Sequence, residues 1–189
     1  MNINKKIYFI TIISVLSALS TILFFIGGIP IFIAFPYLKI DLSDIPALIG
    51  GIIVSPGAGL LIELIKNLIH MLRTHTMGIG ELMSLIIGST MIISYCFPFR
   101  WIIKKRSLKF SVAVSYIICT FFTVVIAVIA NSIIYPLFLS SVTSETTIKS
   151  VMVTYLTAVI IFNFIKAIVT ISLSLIVIKI SQIRALIDK

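Results

Sequence analysis

The sequence predicts an all-α integral membrane protein, namely a six-transmembrane-helix bundle with an external lid loop between helices 1 and 2. Of its 189 residues, 60% are hydrophobic and only 11% are charged, which is too little charge to solvate an ordinary globular surface. Two stretches, Ile7–Leu38 and Phe110–Ser144, contain no Asp, Glu, Lys or Arg. Each exceeds the roughly 20 residues that a helix needs to span a bilayer. There is no internal repeat or low-complexity tract, so we expect residues 1–189 to form a single membrane domain.

The apolar runs are divided at polar residues, glycine and proline. They predict helices near residues 6–27, 44–54, 57–73, 80–103, 110–138 and 150–183. The interruption Ser55-Pro56-Gly57 allows two interpretations of residues 43–73, either one kinked span or two short helices. A helix over residues 44–54 would extend only about 17 Å, well short of the hydrocarbon thickness. Such an element must be shielded by protein or face a water-filled cavity.

The positions of the positive charges favour two short helices. Six crossings then place most lysines and arginines on one side of the membrane, which is the pattern of the cytoplasmic side. That side holds Lys5, Lys6, Lys104, Lys105, Arg106, Lys109, Lys179, Arg184 and Lys189, and the other side holds Lys39, Arg73 and Lys149. A single crossing would put the cluster at residues 104–106 opposite the N-terminal lysines. We therefore expect a multi-pass protein of the cell membrane with both termini cytoplasmic.

Several functional classes are disfavoured. The net charge of +9 does not indicate nucleic-acid binding, because membrane insertion itself selects basic clusters beside apolar spans. Cys96 and Cys119 lie in apolar segments, which argues against a disulfide or a metal site. His70 and His75 lack further ligands at metal-type spacing. The segment Gly78–Glu81 is not a phosphate-binding loop, because the Gly-Lys-Ser/Thr sequence is missing. We expect no enzyme activity, no metal and no cofactor.

Lys166 is the only charged residue in the hydrophobic run Val151–Ile178. A cation near the bilayer centre costs about 2.5–3.5 kcal/mol, so its usual role is to contact a ligand or an ion inside the helix bundle. Asn163 lies one helical turn before Lys166, and Asn131 lies within another apolar run. Each amide must find hydrogen-bond partners, either on a neighbouring helix or on the edge of a flat heterocycle. Both interpretations stay open, and proximity to Lys166 favours ligand contact for Asn163.

The segment Leu38-Lys39-Ile40-Asp41 lies in the predicted outer loop. A loop that is so rich in apolar residues is more typical of a lid folded over the bundle than of a solvated connection. Asp44 precedes Pro46 by two residues, so the helix that begins there would have Ser43 or Asp44 as its N-cap. Capping is therefore the simplest role for Asp44.

The third predicted helix carries a polar stripe that cannot point at lipid. Its members Glu63, Lys66, Asn67 and His70 are spaced i, i+3, i+4 and i+7. A structural Glu63–Lys66 pair with Asn67 bonded between helices is as consistent with this spacing as ligand contact. Glu81, in the first turn of the next helix, can either stabilise the helix N-terminus or bind a ligand.

Small residues on the first helix, Ser14 and Ala18, are spaced so that a second helix could approach closely in lipid. Packing inside the bundle and docking to another membrane protein are equally consistent with this spacing.

Several segments together resemble a known family, and they occur in its order along nearly the whole chain. They are Leu38–Leu48, Ser55–Gly59, Glu63–Asn67, Gly78–Leu82 and Asn163–Lys166. This ordered set resembles the riboflavin-specific S components of energy-coupling factor (ECF) vitamin transporters. No single segment is decisive, but the set is specific.

The resemblance implies a six-helix subunit that captures riboflavin from outside. It also implies an EcfT-type transmembrane coupling protein and two EcfA-type ATPases as partners, with Ser14 and Ala18 on the docking surface, where serine replaces one of the usual alanines. The ligand-contacting positions that it implies are Leu38, Lys39, Ile40, Asp41, Glu81, Asn131, Asn163 and Lys166.

Three alternatives stay open. The first is an S component for a different vitamin. The second is a small membrane enzyme, which would need a nucleophile or a metal–carboxylate set at membrane depth. The third is an ion-coupled carrier that uses Glu63, Lys66 and Lys166 as a relay.

Overall fold

The structure is a computed structural model, and it describes residues 3–36, 38–73, 78–140 and 145–178. Six helices and one short hairpin form within these ranges: α1 (Ile3–Ile26), β1 (Ile29–Pro30), β2 (Lys39–Ile40), α2 (Asp44–Ile53), α3 (Pro56–Met71), α4 (Ile79–Ile102), α5 (Leu108–Ser140) and α6 (Glu145–Ile178). The predicted helices agree with these bounds to within five residues where the ends are described. Tyr37, His75 and the expected end of the last helix at residues 179–183 lie outside the described residues.

Four of the helices are long and apolar enough to cross a membrane. They cover Lys6–Ile26, Ile79–Ile102, Leu108–Pro136 and Val151–Ile178. The other two, α2 and α3, have only 10 and 16 residues. The prediction of an all-helical membrane protein is therefore confirmed, whereas six crossings stay a prediction.

The chain between α2 and α3 breaks where the sequence contains Ser55-Pro56, so two helices form rather than one kinked helix. Ser55 is extended at φ −168°, and its hydroxyl accepts a hydrogen bond of 3.1 Å from the Ala58 amide. Proline is well suited to the first turn that follows, because it has no amide hydrogen to leave unpaired. Backbone carbonyls at the C-terminal end of α2 receive hydrogen bonds from α4. Arg100 donates to the carbonyls of Ile52 at 3.0 Å and Val54 at 2.8 Å.

The short helix α2 lies inside the bundle. The other helices contact one another in the order α1, α3, α4, α5 and α6, while α2 contacts α1, α3, α4 and α6. Nine of the 10 residues of α2 are buried. Protein therefore shields this element, as its length of about 15 Å requires in a bilayer. The outer surfaces of α1, α5 and α6 expose large apolar side chains such as Ile10, Ile117, Phe121 and Ile176, which suits contact with lipid.

The connection between α1 and α2 folds back on the bundle. Its two strands pair antiparallel, with Ile29 opposite Ile40. Phe35 and Leu38 in this loop are both buried, and the Phe35 ring meets the Tyr155 ring of α6 edge to face at 5.4 Å between centroids. The loop is thus packed on the membrane helices through Phe35 and Leu38.

Close packing of α2 on α3 depends on glycine. A Cβ at Gly59 would lie 2.8 Å from the carbonyl oxygen of Ala47 and 2.9 Å from the Cα of Gly51, both of which are backbone atoms that cannot rotate away. At Gly57, two residues earlier in the same helix, the nearest atom would be the Ser55 hydroxyl oxygen at 3.9 Å. The two glycines lie in the same helix but differ in the space around them, so alanine substitutions at these positions can be compared directly.

We expect Gly59→Ala to lower the free energy of unfolding by about 1–3 kcal/mol, because the helices must move apart. Gly57→Ala should be neutral or slightly stabilising, because alanine is the better helix former. Thermal unfolding of both variants in detergent, followed by circular dichroism, measures the difference. Equal melting temperatures for the two variants would contradict the close approach at Gly59.

Candidate ligand-binding site

Four buried charged side chains from three helices form one connected cluster. Lys66 Nζ on α3 lies 2.6 Å from Asp44 Oδ1 on α2 and 2.6 Å from Glu63 Oε1 on its own helix. Lys166 Nζ on α6 lies 2.8 Å from the second oxygen of the same carboxylate, Asp44 Oδ2. Charges removed from water cost several kcal/mol each unless they are paired, so this pairing is what allows them inside the bundle. We call Lys166, Asp44, Lys66 and Glu63 the charged cluster.

Asp44 does not have the capping role that the sequence suggested. Ser43 is the N-cap, and Asp44 is the first residue of α2. The carboxylate of Asp44 points to two lysines on other helices, so the capping interpretation was wrong for this side chain. The turn that places it is held by Asp41, whose Oδ1 accepts hydrogen bonds from the backbone amide of Ser43 at 2.9 Å and from the Ser43 hydroxyl.

The expected Glu63–Lys66 pair is present, but Asn67 differs from expectation. Its amide nitrogen donates to the backbone carbonyl and to Oε1 of Glu63, both at 2.8 Å within α3, rather than between helices. Gly88 on α4 leaves the space for this arrangement, because a Cβ there would collide with the Glu63 carboxylate.

His70 and Glu81 link the ends of α3 and α4. His70 Nδ1 lies 2.8 Å from Glu81 Oε1, and the imidazole stacks on the Phe24 ring of α1 at 3.9 Å between centroids. The same Phe24 ring lies 5.2 Å from the ammonium of Lys66, close enough for a cation–π contact. Glu81 therefore has a partner on α3, and its contact with a ligand stays a prediction.

The second predicted polar set lies between α5 and α6. The Tyr155 hydroxyl donates to the amide oxygen of Asn131, and the Asn131 nitrogen donates to the carbonyl of Ala127 at 2.8 Å. The rings of Tyr155 and Tyr135 stack at 3.8 Å between centroids. The ring of Phe35 from the loop also meets the Tyr155 ring, so the partner of Asn131 belongs to a cluster of three aromatic rings. Sequence reasoning did not single out the two tyrosines, although their positions beside apolar runs on the same two helices were available.

Asn163 differs from Asn131 in one respect. Its nitrogen donates to the carbonyl of Val159 at 2.9 Å, while its amide oxygen has no hydrogen-bond partner among the described residues. The residue is only 1% exposed. One helical turn further along α6, Lys166 brings its charge to the same side of the bundle.

The four loop positions have different environments. Leu38 is buried, Ile40 and Asp41 are partly buried, and Lys39 is exposed. On α1, Ser14 and Ala18 both lie on the exposed face, whereas Ser17, Ser20 and Thr21 are buried towards the bundle. No group of three His, Cys, Asp or Glu side chains that could hold a metal ion occurs in the ranges that the structure describes.

Comparison with known proteins agrees with this arrangement. A sequence profile of the family "ECF transporter, substrate-specific component" matches residues 8–178. The riboflavin transporter FmnP of Bacillus subtilis (strain 168) is 32% identical over 187 residues, which cover 92% of this chain and 92% of that protein. The riboflavin transporter RibU of Staphylococcus aureus (strain TCH60) is 31% identical over 170 residues, covering 89% of this chain and 86% of that protein.

The fold is also found among solved structures. One of them, described as "Structure and mechanism of the S component of a bacterial ECF transporter", aligns with a TM-score of 0.76 and 27% identity. The alignment covers 91% of this chain and 94% of that chain. By its family match, its relatives and its fold, this chain belongs to the substrate-specific components of ECF transporters, which are transport proteins and not enzymes.

Proposed function

We propose that this chain captures riboflavin at the outer side of the cell membrane. The observation that carries the proposal is the set of buried polar side chains on α5 and α6, Asn131, Asn163 and Lys166. Asn131 is bonded to Tyr155, whose ring stacks on that of Tyr135. Two similar proteins with 32% and 31% identity to this chain are named riboflavin transporters. A mostly apolar site with a few placed polar groups is the usual form of a small-molecule site.

The chemistry of riboflavin suits these groups. Its flat ring system has a hydrogen-bonding edge, which an amide such as Asn131 can match with both donor and acceptor. Asn131 uses only one of its two N–H donors on Ala127. The ring faces suit Tyr135, Tyr155 and Phe35. The hydroxyls of the ribityl chain can donate to the free amide oxygen of Asn163 and accept from the remaining N–H groups of Lys166.

Asn163 offers the sharpest test of this site. Asn163→Leu should weaken riboflavin binding roughly five- to hundredfold, because ligand hydroxyls lose a partner worth about 1–3 kcal/mol. Thr157→Val is the matched control, since Thr157 lies exposed on the same helix and its hydroxyl donates to the backbone carbonyl of Val153 one turn earlier. Titration of flavin-free protein in detergent, followed by flavin fluorescence, gives both affinities.

Riboflavin would be rejected as the substrate if the wild-type protein did not quench the fluorescence of micromolar riboflavin and bound an unrelated vitamin tightly. The second interpretation, an S component for another vitamin, would then replace it. Equal loss of affinity in Asn163→Leu and Thr157→Val would remove Asn163 from the site.

We also propose that the loop between α1 and α2 acts as an external lid and that the chain crosses the membrane six times. In this topology α2 and α3 together form an excursion that enters and leaves from the outside. Leu38, Lys39, Ile40 and Asp41 then lie at the outer entrance, and their contact with the ligand is part of the proposal. The positive charges support this orientation, because they place the α4–α5 turn on the cytoplasmic side with both termini.

Cysteine labelling tests the orientation. In a background without Cys96 and Cys119, a cysteine at Ser144 should react with an impermeant maleimide in whole cells, whereas a cysteine at Ser107 should react only after the membrane is opened. The reverse pattern would contradict the combination of six crossings with cytoplasmic termini.

Transport requires energy from other subunits. We propose that an EcfT-type coupling protein and two EcfA-type ATPases supply it, and that the coupling protein docks on the exposed face of α1 at Ser14 and Ala18. Both residues are small and face away from the bundle, which lets a partner helix come close.

We expect Ser14→Leu combined with Ala18→Leu to abolish uptake of riboflavin into cells that contain the ATPases, while leaving riboflavin binding by the purified subunit intact. Bulky side chains hold the partner helix away but touch nothing in the bundle. Ala113→Leu, on the exposed face of α5, is the control for adding bulk at a lipid-facing position. Uptake that persists in the double variant would show that docking occurs elsewhere.

A further inference from the structure

Asp44 is the only carboxylate within ion-pair distance of Lys166 among the described residues. The same carboxylate also pairs with Lys66, and Lys66 pairs with Glu63 as well. Two lysines and two carboxylates make the charged cluster neutral when all four are ionised. All four side chains are nearly or completely buried, so water screens their charges little.

The pairing of Lys166 with Asp44 affects which ligands Lys166 can accept. An ammonium whose charge is balanced still donates N–H groups to uncharged hydroxyls. It attracts an anion much less than an unpaired ammonium does, because the anion also approaches the neighbouring carboxylate. Asp41 adds a second negative charge within electrostatic reach of Lys166.

Riboflavin and its phosphate differ at the end of the ribityl chain. The phosphate ester adds nearly two negative charges at neutral pH, while the ring system is the same. A site with a bare lysine would favour the phosphate, whereas a site that balances its lysine would favour the free vitamin.

We infer that Asp44 is a specificity-determining residue, which pairs with Lys166 so that the site selects the uncharged ribityl chain over its phosphorylated form. The inference rests on the proposed riboflavin function. Asp44 acts by orienting and neutralising Lys166 rather than by contacting the ring system. Its position supports this role, since its two oxygens are directed to lysines on two different helices.

The test compares the dissociation constants of riboflavin and riboflavin 5′-phosphate for the full-length, flavin-free protein in detergent. In Asp44→Asn the preference for riboflavin over the phosphate should fall by about tenfold or more, the change that removal of a close buried charge produces. If Asp44 had a purely structural role, Asp44→Asn would weaken the binding of both ligands by the same factor and leave the preference unchanged. That result would overturn the inference.

Glu63→Gln is the matched control. It removes one negative charge from the same cluster, but Glu63 pairs with Lys66 and not with Lys166. Its effect on the preference should stay below about threefold, since the Coulomb energy falls with distance. A change as large as that of Asp44→Asn would show that the net charge of the cluster, rather than Asp44, sets the selectivity.

Asp44→Asn combined with Lys166→Gln removes both charges and covers the case in which the single variant does not fold. This double variant has the same net charge as the wild-type cluster, so it should bind riboflavin weakly yet keep the wild-type preference against the phosphate. A double variant that prefers the phosphate would overturn the inference, as would wild-type protein that binds both flavins equally. Wild-type protein that binds neither flavin would instead reject the proposed function.

Discussion

The arrangement of the helices around α2 depends on one buried carboxylate. Asp44 accepts two lysines from different helices, Lys66 from α3 and Lys166 from α6. An unpaired charge is costly in hydrocarbon. The position of Asp44 therefore determines where the two helices that carry these lysines come together. The turn at Asp41 and Ser43 sets that place, and the hydroxyl of Ser20 on α1 holds it by donating to the Ser43 carbonyl. A local turn thus sets the position of four helices.

The same constraint acts at the other end of α2. A helix of 10 residues ends within the bundle, where its last carbonyls would be unpaired. Arg100 from α4 donates to two carbonyls at this end, from Ile52 and Val54. Negative charge therefore lies at the N-terminus of α2 and positive charge at its C-terminus, as the helix dipole favours. The short helix is stabilised at both ends by side chains rather than by water.

Much of this fold could be predicted from the sequence, because the signals are local. Apolar runs defined the long helices, and Ser55 with Pro56 marked the break between α2 and α3. The Glu63–Lys66 pair follows from residues three apart on one helix. The roles of Asp44 and Arg100 could not be predicted in the same way, because their partners are 22 or more residues distant in the chain.

One sequence signal could have indicated the role of Asp44. The chain has only six acidic residues, and few of them lie in apolar helices. Because Lys66 and Lys166 both need counterions inside the membrane, the requirement for neutrality restricts their partners to these few acidic residues, among which Glu63 and Asp44 are the two that the structure pairs with them. The aromatic set around Asn131 was harder to foresee, since the stacking of Tyr135 on Tyr155 depends on how α5 is rotated against α6.

The first helix connects the candidate ligand site with the surface proposed for the coupling protein. One face of α1 turns inward, where Ser20 bonds to the turn before Asp44 and Phe24 lies over the ammonium of Lys66. The opposite face exposes Ser14 and Ala18. Any movement of the charged cluster that accompanies ligand binding must therefore be accommodated by the inward face of α1. Because a helix moves largely as a rigid unit, its outward face would shift with it, so a coupling protein docked there could respond to the ligand without touching it.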